Sequence, residues 1–176
     1  MADDLIDPRR VEPPPVGAER AMFDGWLDYQ RGTLLLKCDG LDDEQRKQRP
    51  VATSLMSLHG LVRHMADVER HWFRRVLGRD PATPALFWRP EVVDADWAPL
   101  DDADWGADFA AWQAECGRSR EAAAAYEIDD VGAGVSGGER VEVSLRWIFN
   151  HMIEEYARHN GHADLIREMV DGSVGC

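Results

Sequence analysis

Six histidines fall in two short stretches of a 176-residue chain, His59, His64 and His71 in one and His151, His159 and His162 in the other. Imidazole titrates near neutral pH and is the commonest metal ligand, so this grouping asks whether the chain moves protons, holds a metal, or does neither. In the second stretch Glu155 stands four residues from both His151 and His159. An α-helix turns by about 100° per residue, so each four-residue step drifts by only about 40° and the three side chains form one continuous polar strip. The strip runs beside Met152, Tyr156 and Ala163, which repeat at core spacing. Burying an imidazole or a carboxylate there without a partner costs on the order of several kcal/mol.

His64 lies three residues after Leu61 and one before Met65, at the edge of a second apolar stripe, and is the natural partner from a facing helix. Two ligands at i and i+4 on one helix plus a third from another leave coordination positions open, as a catalytic divalent site requires. Nitrogen and oxygen donors without thiolate suit zinc, and also nickel, iron or manganese. The plain alternative is a set of hydrogen-bonded core-edge residues. Spacing also leaves the pair open, because His151 with Glu155 is as good as Glu155 with His159. His71, about 10 Å beyond His64 on the same face, is read as a pocket residue. His59 is expected to point elsewhere and be exposed.

The elements that must position these residues are helical. A proline-rich arm over residues 1–17 (PRRVEPPPV) cannot be a helix, because each proline lacks a donor and restricts its predecessor. A first helix is expected over Ala18 to Cys38, with Met22, Trp26, Tyr29, Thr33 and Leu36 as its buried stripe. A charged connection with one helical turn near Asp42 to Lys47 leads to a second helix, capped by Ser57 and stopped by Gly78. Residues 79–103 combine four prolines with Phe87, Trp88 and Trp97, which reads as an aromatic flap or as a lid over a pocket. A third helix follows over Asp104 to Tyr126. Glycine-rich VGAGVSGGE has glycines at GxGxxG spacing (Gly132, Gly134, Gly137), but no βαβ pattern surrounds it, so it reads as a turn rather than a phosphate cradle, with RVEV briefly extended. The longest helix spans Ser144 to Val170, ended by Asp171 and Gly172. The expected fold is all-α, a four-helix bundle in a single domain over 18–172, with a tail at 173–176.

A formal charge of −13 disfavours nucleic acid as a partner, and the cluster Arg70, Arg74, Arg75 and Arg79 reads as a solvated helix face. Three scattered cysteines point to a reducing, cytoplasmic setting, and no apolar run reaches membrane-spanning length. No Glu-x-x-His, HExxH or P-loop occurs, which argues against a di-iron bundle, the common metalloproteases and P-loop enzymes.

The segments SLHGLVRHMADVERHWF and LRWIFNHMIEEYARHNGHADLIRE resemble the DinB-like superfamily, in its actinobacterial branch. The likeness runs from LLLKCDGLDDEQ to MVDG and is carried most specifically by the EYxRHxGHxDxxRE run. It implies a bundle with one metal ligand on the second helix and two at i, i+4 on the fourth. In the mycothiol-dependent maleylpyruvate isomerases the latter pair is glutamate and histidine. Carried onto this chain, the resemblance selects His64, Glu155 and His159 as ligands and leaves His151 and His162 beside them, with Arg63, Arg158 and Arg167 as candidate grips on a cofactor. It further implies a metal-dependent transferase that joins a small thiol such as mycothiol to an electrophile, as a monomer or homodimer. A metal-containing binding or stress-response module without turnover is the rival reading, and a thiol-dependent isomerase would share every residue.

Overall fold

The computed structural model describes residues 8–92 and 94–175 and is mostly helical. Helix α1 (Glu19–Cys38) is followed by the short α2 (Asp43–Lys47), which Asp42 and Gln45 close at its start with a reciprocal capping box. Helix α3 (Leu58–Glu69) begins where the Ser57 hydroxyl accepts from Gly60 N at 3.0 Å, and continues without a break as a π-helical segment, Arg70–Leu77. Helix α4 (Trp105–Ala124) is capped by Asp104, which accepts from Ala107 N at 2.7 Å. Strands β1 (Val131–Ser136) and β2 (Glu139–Ser144) form an antiparallel hairpin, and α5 (Leu145–Asp171) ends at Gly172 with φ +80°. The hairpin corrects the wholly α expectation, since the glycine-rich segment is a strand and a turn rather than a turn alone. Among the described residues no helix is long and apolar enough to cross a membrane.

Helix α1 packs on α5, and α3 packs on α4 and more lightly on α1 and α5. The buried stripe of α1 is not the expected one: Leu27, Leu34 and Cys38 are buried, whereas Trp26 is 37% exposed. The phase moves because Arg31 turns inward, where its guanidinium meets both oxygens of Glu69 at 2.8 Å. Glu69 has no exposed surface, and its Oε1 also accepts from the Tyr156 hydroxyl at 2.7 Å, while Trp112 Nε1 donates to Tyr156 at 2.9 Å. Burial opposes ionisation of Glu69, yet the charge and hydrogen bonds of Arg31 outweigh it and hold the carboxyl below its ordinary value.

Glycine explains how the hairpin reaches the helices. A Cβ on Gly132 would stand 2.7 Å from Leu77 Cα, so only glycine lets β1 lie against the π-helical segment. Gly137 and Gly138, at φ +58° and +85°, form the two-residue turn that a twisted hairpin favours. Gly78 was expected to take the left-handed stop after the second helix, but it keeps φ −73° and Arg79 takes the positive φ of 52°. The Arg79 guanidinium donates to Val131 O at 2.9 Å, so docking of the hairpin holds that residue in place.

Removing one half of a buried ion pair leaves the other charged and unsolvated. Glu69→Ala should therefore lower stability by about 3–5 kcal/mol in denaturant unfolding. Replacing Arg31 and Glu69 together by methionine should recover most of that loss, and equal losses in the two variants would show that the pair is not the cause.

Candidate metal centre

His64 reaches the site from α3, and Glu155 and His159 from successive turns of α5. One ligand atom from each lies within 4.8 Å of the others. His159 is buried, and Glu155 and His64 are half-buried. His159 Nε2 stands 3.4 Å from Glu155 Oε2, and His151 Nε2 stands 3.5 Å from Glu155 Oε1. These separations exceed the 2.7–2.9 Å of a charge-assisted hydrogen bond, so the cluster is not closed on itself. Two ligand atoms each ~2.0–2.1 Å from a tetrahedral ion stand about 3.4 Å apart. The Glu155–His159 separation matches that figure, and with His64 within 4.8 Å of both, the nitrogen and oxygen donor set is of the kind a divalent cation such as zinc takes. His151, Glu154 and Glu155 make a second possible group, which shares Glu155.

The nearby imidazole of His159 lowers the Glu155 pKa below its ordinary value against the opposing effect of burial, helped by the charges of His151 and His64. Asp96 is the main addition to what the sequence suggested. Its Oδ2 lies 2.7 Å from His64 Nδ1, which commits that nitrogen as a donor and leaves Nε2 as the lone-pair nitrogen. Burial opposes ionisation of Asp96, but the bond and charge of His64 keep its carboxyl below the ordinary value. The next residue, Trp97, stacks on the His64 ring with centroids 4.6 Å apart and 24° between planes. Neither residue carries a periodic signal, because both come from the irregular 79–103 segment.

That segment is fastened along its length to α3 and its π-helical end. Asp67 accepts from Phe87 N at 2.9 Å and Trp88 N at 2.7 Å, Arg63 donates to Ala95 O at 3.1 Å and Pro99 O at 3.2 Å, and Arg70 donates to Pro84 O at 2.9 Å. Arg63 is therefore a bolt for the loop. Arg158 pairs with Glu154, and Arg167 donates to the carbonyls of Lys37 and Asp39 at the end of α1. All three candidate grips on a cofactor have partners within the protein.

The remaining histidines divide. His162 Nδ1 lies 3.3 Å from His159 Nδ1. His151 sits between Trp147, stacked at 4.8 Å, and Trp72, edge-on at 4.7 Å. His71 packs against Trp72, and its Nε2 is buried without a hydrogen-bond partner. His59 contradicts the expectation of exposure: it is fully buried, with Nε2 2.8 Å from Asp108 Oδ2 and its ring edge-on to Trp105. The position falls on the inner face of the first turn of α3, where Asp108 of α4 supplies the partner. Two clefts of about 860 Å³ and 570 Å³ lie elsewhere, one beside the hairpin and one beneath the arm, and neither is lined by the triad. Donor chemistry rather than cavity size locates this centre.

A family model described as mycothiol-S-transferase matches residues 22–172. No curated protein matches the chain.

Burial, followed by the charges of Arg75 and His151, pushes the His71 pKa down to about 4. The unfolded chain, with His71 near 6.5, then takes up the proton first as the solution is acidified. The stability due to neutral His71 is complete above about pH 6.5 and is lost as pH falls toward about 4. Denaturant midpoints measured from about pH 7 to 5 should decline less for His71→Phe than for the wild type. Parallel curves would show that His71 does not bind its proton as described.

Proposed function

Starting from a chain that belongs to the mycothiol-S-transferase family, we propose that it joins mycothiol to an electrophilic small molecule at a divalent metal held by His64, Glu155 and His159. We read the helices as the four-helix bundle of the DinB-like type, with the hairpin as an addition between its last two members. The observation that carries the reading is the convergence of two imidazoles and one carboxylate, from two helices, at spacings suited to a common ion. Zinc is the best match to that donor set.

A divalent cation held by His64, Glu155 and His159 would lower the pKa of a thiol bound to it and favour the thiolate at neutral pH. The protein's own part is to orient, shield and accept a proton. Asp96 fixes the His64 ring through Nδ1, so Nε2 is presented without rotamer search. Trp97 covers the ring face and, with the fastened loop, limits water at that side. His162 sits at the far nitrogen of His159 and steadies its orientation. His151, next to Glu155 and outside the triad, is placed to receive at Nε2 the proton that the thiol gives up. The thiol sulfur then forms the new bond to the electrophilic carbon, and the electrons displaced from that carbon leave with the departing group.

Purified without a histidine tag, the protein should contain about one equivalent of zinc, and His64→Ala and Glu155→Ala should each lose most of it by elemental analysis. Asp96→Ala should keep the metal but bind it about 10–100-fold more weakly in chelator competition. With mycothiol and monochlorobimane the wild type should form conjugate above the uncatalysed rate. Metal retained at wild-type stoichiometry in both ligand variants would contradict the assignment. A loaded protein that never exceeds the uncatalysed rate would favour the non-catalytic module.

A further inference from the structure

The arginines read from the sequence as one solvated face separate into two groups. Arg70 and Arg74 turn to the buried Glu115 of α4, at 2.8 and 3.5 Å. Arg75 and Arg79 turn instead toward the hairpin. There they line, with Arg140 of β2, a cleft of about 860 Å³ whose other walls are Pro81, Ala133, Gly134, Val135, Val141 and Glu142.

Most cations of this acidic chain sit against a carboxylate. Among the described residues Arg75 and Arg140 form no ion pair, and Arg79 donates only to the Val131 carbonyl. Three arginines thus line one cleft together with a single carboxylate residue, Glu142, a net of +2. Like charges brought together without counter-ions repel, so the arrangement is one that an anion relieves. Guanidinium is also the side chain best shaped to grip a phosphate through paired N–H donors. A bare phosphate would fill little of about 860 Å³, a size typical of small-molecule sites. Proline, alanine and valine walls suit the apolar part of a larger ligand. The geometry is built in: Gly132 lets the hairpin lie against Leu77, and Arg79 ties it there. π-Helical segments such as Arg70–Leu77 recur at functional positions.

We propose that this cleft binds a small molecule carrying a dianionic phosphate group. The site is separate from the metal centre and independent of the transferase reading. AMP, inorganic phosphate and adenosine serve as probes, titrated calorimetrically into the full chain at low salt. AMP should bind about tenfold or more tightly than either phosphate or adenosine, because only AMP offers both the charge and the body. Arg75→Gln with Arg140→Gln should weaken AMP binding by about tenfold or more, and neither change removes an ion pair of the fold. Arg49→Gln, at an exposed arginine outside the cleft, should leave it within about twofold. His64→Ala should bind AMP as the wild type does, which separates the cleft from capture of phosphate by a metal at the triad. No saturable AMP binding, equal affinity for AMP and inorganic phosphate, or an equal loss in Arg49→Gln would each overturn the proposal.

Discussion

Four helices meet at one carboxylate. Glu69 of α3 takes both nitrogens of Arg31 from α1 and the hydroxyl of Tyr156 from α5, and Tyr156 takes the indole N–H of Trp112 from α4. Each bond has a direction and a length, which apolar packing alone does not impose. The consequence for the centre is one of register. Tyr156 follows Glu155 and precedes His159 by three residues on α5, and Glu69 follows His64 by five residues on α3. Fixing Tyr156 against Glu69 therefore fixes the height at which the two ligand-bearing helices face each other. Sliding either helix by one turn, about 5.4 Å, would separate the triad and strand the carboxylate in the core.

The irregular 79–103 segment completes what the helices leave open. A helix can present His64 but not choose which ring nitrogen carries the proton; Asp96 makes that choice from outside the helix. Its aim depends on the fastening of the loop by Asp67, Arg63 and Arg70, all on α3 and its continuation. One continuous helix thus supplies both the ligand and the anchors of the residue that orients it. The loop is bonded to α3 and its continuation at Pro84, Phe87, Trp88, Ala95 and Pro99.

The helices and their starts were legible because local rules govern them: Asp42, Ser57, Asp104 and Ser144 cap as their side chains dictate, and the apolar periods of α3 and α5 hold, although the buried face of α1 is shifted. Of the triad, periodicity placed all three residues on inward faces but left His151 as an equal partner for Glu155; the family likeness was needed to choose. The structure shows why spacing could not decide, since Glu155 stands 3.4 Å from one imidazole and 3.5 Å from the other. The errors share a cause. His59 was read as exposed, yet it is buried against Asp108 of α4, and Arg31, which lies off the expected stripe of α1, is likewise buried against Glu69 of α3. Such pairings join residues 38 and 49 positions apart, and no local pattern records them. Asp96 was invisible for the same reason, and the hairpin because glycine weakens every strand signal while being the residue its docking requires.

The change from α to π geometry directly after Glu69 links these observations. Up to Glu69 the helix carries the candidate ligand His64 and the core ion pair; beyond it, the wider turn carries His71 beside Trp72, then Arg75 at the cleft beside the hairpin. A π-helical stretch weakens backbone bonding and persists only where surrounding contacts hold it. Here those contacts are Gly132 lying on Leu77, Arg79 bonded to Val131, and Phe73, Val76 and Leu77 with no exposed surface. The hairpin is therefore more than a connection between α4 and α5. By covering the π-helical end it packs against the continuation of α3 past Glu69, so the carboxylate that sets the register of His64, Glu155 and His159 is braced from the side where Arg75 and Arg79 lie.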